Sequence, residues 1–258
     1  GPWPDRGAAS RGLRLMRGAD RTGWRAEPAP GRAMGTALIA QIAAILPVFL
    51  MGALGPFVIA DVALTPFAFG ALFAVFYGAA AFASLVLAPR ADRAGVWRLV
   101  SVALAGTALI ALAIGTVAQG AAVLFALMIG AGLANGTVQP ATNVVVARYV
   151  PPGRQGFAFG LKQSAIPAAT LLGGAAVPSI GATIGWRWSF VIAAALALAL
   201  AATAPGDGPP RDRAVNGPGR LPQRAVLLAL ATTMAIGAAC ANAMAAFVAV
   251  SIVEAGHS

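Results

Sequence analysis

The residues best suited to bind a polar molecule form a stripe of amides inside a long apolar segment. Asn135, Gln139 and Asn143 follow one another at intervals of four residues within the apolar run 121–147. In an α-helix this spacing places all three side chains on one face. Amide groups in apolar surroundings are costly unless they hydrogen-bond. The stripe therefore predicts either an uncharged binding surface or a set of hydrogen bonds between helices.

Two further amides stand alone in other apolar runs. Gln41 lies in the run 36–59, and Asn242 lies in the run 225–251. Taken singly, each is typical of a residue that packs between helices. Together with the stripe on 121–147, they predict a polar surface to which three helices contribute.

Lys162 and Gln163 stand about one turn into the apolar run 158–182. A lysine near the end of such a run is expected to extend its ammonium group to the membrane surface, here the cytoplasmic one. The alternative is that Lys162 attracts an anion at the inner mouth of a cavity.

The sequence predicts no catalytic residues, no metal site and no cofactor. It contains one cysteine, Cys240, and one histidine, His257, which stands beside the last residue. These two residues cannot supply a disulfide framework or a Cys/His metal site within the chain. Neither G-x-S-x-G nor H-E-x-x-H occurs in the sequence, so a membrane enzyme is disfavoured.

The elements that position these residues are those of a membrane protein. Of the 258 residues, 59% are hydrophobic and 10% are charged, whereas a soluble domain carries about 25% charged residues. A helix that crosses a bilayer needs about 20 apolar residues, and the runs that qualify are 36–59, 67–88, 98–118, 121–147, 158–182, 188–204 and 225–251. The alternation of a β-barrel is absent. The predicted fold class is all-α, a polytopic helical bundle embedded in the lipid bilayer.

The basic residues indicate how the bundle is oriented. With the N-terminus inside, 17 of the 18 lysines and arginines lie on the cytoplasmic side, and only Arg187 lies outside. This distribution follows the positive-inside rule. It predicts a multi-pass protein of the cell membrane with a cytoplasmic N-terminus, and it accounts for the net charge of +10 without nucleic acid as a partner.

Two polar segments divide the chain. Residues 1–35 hold seven arginines and no apolar period, which predicts a disordered basic cytoplasmic tail. Residues 205–224 are rich in Pro and Gly and hold four arginines, which predicts a flexible cytoplasmic linker. They separate a six-helix bundle over 36–204 from a seventh helix over 225–258.

The connection between the second and third runs carries a recognisable motif. Residues 88–98 read APRADRAGVWR, which resembles the cytoplasmic signature of the major facilitator superfamily, G-x-x-x-D-R-x-G-x-R-R. The matching residues are Asp92, Arg93, Gly95 and Arg98, whereas Ala88 and Trp97 depart from the signature. The resemblance implies that Asp92 and Arg93 help to latch two helical bundles together. The alternative is a solvated loop that only sets the topology.

The resemblance covers roughly residues 36–258 and implies a secondary transporter of a small solute that works by alternating access. In this family the first, fourth and seventh helices line the central cavity, so the cavity candidates are Gln41, Asn135, Gln139, Asn143 and Asn242. Lys162 and Gln163 would then lie at the inner cavity mouth. Family members usually have twelve helices, so we expect this chain to be incomplete and to need a missing C-terminal bundle as its partner. A non-transporting membrane fragment or scaffold is the alternative.

Six-helix bundles of this kind contain inverted three-helix repeats, and the sequence holds a weak trace of one. Pro89 is followed by Trp97 and Arg98, and Pro178 is followed by Trp186 and Arg187 at the same offsets. The two sets are expected on opposite sides of the membrane.

Overall fold

The computed structural model describes residues 28–207 and, further along the chain, Val226, Leu228, Ala229, Thr232, Thr233, Ile236 and Gly237. The chain divides into two compact units, residues 1–210 and 211–258. In the second unit the described residues are all helical, and they fall within the seventh predicted run. Asn242 lies outside the described residues.

Six segments of the described chain are long and apolar enough to cross a membrane. The first comprises α1 (Pro30–Ala53) and the short α2 (Gly55–Val62). The second, third and fourth are α3 (Pro66–Ala94), α4 (Val96–Val117) and α5 (Ala121–Tyr149). The fifth comprises a 3₁₀ turn (Pro152–Arg154), α6 (Gln155–Gln163), α7 (Ala165–Ala176) and a π turn (Val177–Gly181), and the sixth is α8 (Trp186–Thr203). We call these six segments the first to sixth spans. The described residues contain no strand, so the all-α prediction is confirmed.

Two helix boundaries differ from the predicted ones by six residues, Pro30 against residue 36 and Ala94 against residue 88. Helix α1 begins at Pro30, so the last residues of the predicted disordered tail are helical. Proline suits the first helical position, and the buried Ala33 shows that packing begins ahead of the apolar run. Helix α3 continues to Ala94, so the turn before α4 reduces to Gly95. Its φ of +84° lies in the positive region that glycine adopts without steric cost.

Prolines break the first and fifth spans. Pro56 follows the break between α1 and α2 at Leu54, and Pro167 follows the break between α6 and α7 at Ser164. Each proline lacks the N–H that would bond the carbonyl four residues earlier, so one helical hydrogen bond is missing at each break, whereas Pro47 and Pro140 lie inside continuous helices. Pro178 lies within the π turn that ends the fifth span.

Helices α3 and α5 approach so closely that only glycine fits between them. A Cβ atom on Gly132 would overlap the carbonyl oxygen of Phe76, and one on Gly136 would overlap that of Ala80. Ser84 on α3 also donates from Oγ to the carbonyl oxygen of Gly136 at 2.9 Å. This contact fixes the position of α5, the helix that carries the amide stripe.

Candidate functional site

The N-terminal part of the amide stripe forms a hydrogen-bonded joint with α1. We call its members, Gln41, Asn135 and Thr142, the upper cluster. Gln41 donates from Nε2 to Asn135 Oδ1 at 3.4 Å, and its Oε1 lies 3.2 Å from Thr142 Oγ1. The Thr142 hydroxyl also lies 2.9 Å from the carbonyl oxygen of Val138, and its single proton serves one acceptor at a time. Gln41, Asn135 and Thr142 are 2%, 7% and 0% exposed, so the joint is closed to solvent.

The C-terminal part of the stripe contacts a lysine of the fifth span. We call Gln139, Asn143 and Lys162 the lower cluster. Lys162 on α6 donates from Nζ to Asn143 Oδ1 at 2.6 Å and to the carbonyl oxygen of Gln139 at 3.3 Å. Lys162 is 2% exposed, whereas Asn143 is exposed. Because α5 continues six residues beyond Asn143 at about 1.5 Å per residue, this cluster lies about 10 Å from the nearer end of the helix.

A carboxylate from the start of the predicted linker caps α4. Asp207 accepts from the backbone N–H of Trp97 at 2.8 Å and from that of Arg98 at 3.0 Å. These N–H groups belong to the first turn of α4, where the helix leaves them unpaired and where its dipole favours a negative charge. A Cβ on Gly95 would overlap the same carboxylate. The motif turn therefore needs glycine both for its φ and for the space that Asp207 occupies.

The opposite end of the bundle is held by an ion pair. Arg187, at the start of α8, donates from Nη2 to Asp61 Oδ2 at 2.9 Å and to the carbonyl oxygen of Ala118 at 2.9 Å. Trp186 adds a hydrogen bond from Nε1 to Asp61 at 3.3 Å, and its ring lies 4.6 Å from the Arg187 guanidinium carbon. These contacts join the ends of α2, α4 and α8.

The sequence also matches a known family over most of its length. Residues 36–257 match the family model described as Major Facilitator Superfamily. The chain belongs to the Major Facilitator Superfamily. No curated protein matches it. With six apolar spans in its described part, it is a membrane transporter of the major facilitator type, in a family that generally has no enzymatic activity. The resemblance based on Asp92, Arg93, Gly95 and Arg98 is confirmed.

In this major facilitator chain, the predicted stripe divides into two clusters. Asn135 turns to Gln41 and α1, whereas Asn143 turns to Lys162 and α6. The partly exposed Gln139 lies between them in the chain. The upper cluster matches the interhelical-bonding interpretation of the stripe, and the lower cluster, which reaches the surface at Asn143, leaves the binding interpretation open as a prediction.

Lys162 does not extend to the cytoplasmic surface as expected. Its side chain is buried against α5 because Asn143 Oδ1 and the carbonyl oxygen of Gln139 offer it acceptors within hydrogen-bonding distance. Gln163, its neighbour in the chain, is exposed. The side chains of Asp92 and Arg93 lie outside the described residues.

Sequence reasoning missed the role of Asp207. Asp207 falls in the predicted flexible linker 205–224, and no local pattern connects it with a turn about 110 residues earlier. One signal was available, since Asp207 is the first acidic residue after Asp92 and directly follows the sixth span on the same side as the motif. An acid in that place is suited to a helix N-terminus at that end of the bundle.

A groove of about 360 Å³ lies between α1 and the last two spans. Its lining, which includes Ile39, Leu46, Leu172 and Leu196, is apolar apart from Thr203. The groove contains none of the amides or Lys162. The polar clusters on α5, and not the groove, are therefore the candidate site of this transporter.

Proposed function

We propose that this chain carries a small solute across the membrane by alternating access, in secondary active or facilitative transport. The observation that carries the proposal is the run of amides on α5, which continues from a buried joint with α1 to a surface-exposed side chain. Polar groups at this depth are expensive and mark solute pathways by default. Transporters of this architecture place their solute sites near the middle of the membrane, between repeats.

We assign different roles to the two clusters. Gln139 and Asn143, which are more exposed than Asn135, are proposed to face the solute. Gln41 and Asn135 are proposed to hold α1 against α5 and to open toward the solute when the helices move. Asn242 remains a candidate on sequence grounds alone.

The motif at the end of α3 is proposed to gate the cytoplasmic side. Gly95 supports this proposal because its positive φ joins two spans through a single residue. The carboxylate of Asp207 supports it because it links the end of the sixth span to Trp97 and Arg98. Asp92 and Arg93 are assigned to the gate through the family signature.

Counterflow in liposomes tests the transport proposal. The purified chain is reconstituted with an unlabelled solute inside, and the entry of the same radiolabelled solute is measured for a panel of sugars, amino acids and carboxylates. We expect saturable entry of at least one solute, and a Gln139→Leu variant should lower it by roughly 5- to 30-fold, as for the loss of a polar contact worth about 1–2 kcal/mol. Leu133→Ala on the same helix is the control, since Leu133 is 39% exposed.

Absence of solute exchange would favour the alternative function, a non-transporting fragment or scaffold. If the chain is folded in the liposomes, as shown by circular dichroism and a cooperative melt, and no solute of the panel exchanges, transport of these solutes by this chain without a C-terminal bundle is refuted. The non-transporting fragment or scaffold would then be the better description.

The cytoplasmic N-terminus is a separate proposal, supported by the arginines of the described chain. All of them except Arg187 belong to the end of the bundle that holds Gly95. In a Cys240→Ser background, an impermeant maleimide applied to intact cells should label Gln119→Cys, in the turn between α4 and α5, and should label Gly153→Cys only after the cells are opened. The reverse pattern would refute this orientation.

A further inference from the structure

Lys162 is unusual among the charged residues of this protein. It is the chain's only lysine, and it is the one charged residue that is buried in the described part of the chain. Both of its hydrogen-bond partners are neutral, namely Asn143 Oδ1 at 2.6 Å and the Gln139 carbonyl oxygen at 3.3 Å. A buried ammonium group with neutral partners keeps an uncompensated charge, which costs free energy.

No described carboxylate compensates this charge. The sequence has no Asp or Glu between residues 121 and 206, so the fourth, fifth and sixth spans cannot supply one. Asp61 is paired with Arg187 at the other end of the bundle. Asp207 is engaged with the first turn of α4. A group that brings a negative charge to Lys162 would therefore have to come from outside the described residues.

Asn143 controls access to the ammonium group. Its side chain is exposed while Lys162 is 2% exposed, so an approaching molecule meets the amide first. An ammonium group has three donors and no acceptor, and a charged oxygen is a stronger acceptor for it than a neutral amide oxygen. A carboxylate oxygen can therefore replace Asn143 Oδ1 at Nζ. The Asn143 amide nitrogen then remains as a donor for the second carboxylate oxygen.

We propose that Lys162 and Asn143 form an anion subsite that takes the carboxylate of a small organic monoanion. In the empty site Asn143 Oδ1 occupies the position that a carboxylate oxygen takes on binding. A single ammonium group neutralises one negative charge, which is why the assignment is a monoanion. The inference rests on the proposed transport function and adds to it the class of the solute.

The single lysine makes the test direct. The chain is produced with lysine labelled at ¹³Cε and ¹⁵Nζ, purified in a non-ionic detergent, and observed by NMR, where Lys162 gives the one labelled side-chain signal. Acetate and benzoate are titrated against their neutral amides, acetamide and benzamide, and against chloride. We expect a saturable shift of the Lys162 signal with at least one carboxylate and none with its amide. No saturable shift with either carboxylate, equal shifts with acid and amide, or a shift with chloride alone would overturn the proposal.

Two variants then test the residues with radiolabelled benzoate or acetate, whichever shifts the signal. Asn143→Asp is nearly isosteric and supplies an internal carboxylate to Lys162, so it should weaken binding at least about tenfold through like-charge repulsion. Lys162→Gln should weaken binding by a similar factor. Thr170→Ala on the same span, whose hydroxyl bonds only within its own helix, should bind as the native chain does. Unchanged binding in Asn143→Asp would refute the subsite.

Binding and transport can fail independently. Exchange of a neutral solute in liposomes without any carboxylate shift at Lys162 would refute the anion subsite and leave the transport proposal standing. Carboxylate binding without exchange of any solute would refute the transport proposal and leave the anion subsite standing.

Discussion

Replacement of Asp207 by alanine should loosen the start of α4. The carboxylate accepts two backbone hydrogen bonds, from Trp97 at 2.8 Å and from Arg98 at 3.0 Å. Loss of an N-terminal cap costs about 1 kcal/mol and up to about 2 kcal/mol, and the interaction of its charge with the helix dipole accounts for about 0.3–1 kcal/mol. We therefore expect Asp207→Ala to destabilise this turn by about 1–2 kcal/mol. Asp207→Asn should cost about half as much, because the amide keeps one acceptor oxygen.

Amide hydrogen exchange measures this change where it occurs. A loss of about 1–2 kcal/mol corresponds to exchange that is roughly 5 to 30 times faster at Trp97 and Arg98. Thr65→Ala serves as the matched control, since the Thr65 hydroxyl accepts from the N–H of Ala68 at 3.1 Å and caps α3 at the other end of the bundle. It should speed exchange at Ala68 and leave α4 unchanged.

The reasoning would be refuted if Asp207→Ala left exchange at Trp97 and Arg98 within about twofold of the native rate. A second check uses Gly95, whose missing Cβ leaves room for the Asp207 carboxylate. Gly95→Ala suffers both from its positive φ and from this overlap. Removal of the Asp207 side chain relieves only the overlap, so the cost of the double variant should be less than the sum of the two single costs.

Three further perturbations probe the packing of the first unit, each followed by thermal unfolding in detergent. Gly136→Ala should destabilise the bundle by about 1–3 kcal/mol through overpacking. Gly174→Ala is the control and should not destabilise it, because the space around its Cβ position is open. Equal costs of the two variants would refute the close contact between α3 and α5. Arg187→Ala should cost more than Asp61→Ala, because Arg187 also bonds the Ala118 carbonyl oxygen at 2.9 Å and stacks on the Trp186 ring, whereas Asp61 has in addition only the longer 3.3 Å hydrogen bond from Trp186; the exposed ion pair that both variants lose contributes about 0–1 kcal/mol. Gln41→Leu leaves the buried Asn135 Oδ1 without its donor and should cost about 1–3 kcal/mol, and a neutral result would contradict the joint between α1 and α5.

The sequence was sufficient to predict the helical spans and insufficient to predict their contacts. Apolar length and composition decide whether a segment crosses a bilayer, and the described spans fall where the runs predict them. The observed boundaries differ from the predicted ones where packing or capping overrides composition. Helix α1 starts at Pro30 because a short alanine face already packs there, and α3 runs on to Ala94 because Gly95 alone suffices for the turn.

The spacing of the amide stripe predicted one face of α5 but not what that face meets. Residues four apart rotate slowly around a helix, so over eight residues the stripe passes from one neighbour to another. Asn135 reaches Gln41 and Asn143 reaches Lys162, and each partner lies on a different span. Only the arrangement of the helices decides this, and no local feature of residues 121–147 encodes it.

At each end of the bundle, polar contacts join helices that are distant in the sequence. The third span begins after Gly95 and the sixth begins after Gly185, both with positive φ, and each of these glycines is closely followed by Trp and Arg. The carboxylate that holds the third span comes from the end of the sixth, and the carboxylate that holds the sixth comes from the end of the first.

In each three-helix half, a terminal group is therefore bonded by a carboxylate of the other half. The first half lacks Asp207 for the amides of α4, and the second half lacks Asp61 for Arg187. The chemistry of the two contacts differs, since Asp207 binds backbone N–H groups whereas Asp61 binds side chains. Yet both tie one half to the other at opposite ends of the membrane-spanning bundle. The two Trp-Arg pairs that the sequence shows after Pro89 and Pro178 thus lie at opposite ends of the bundle, each beside a carboxylate from the other half.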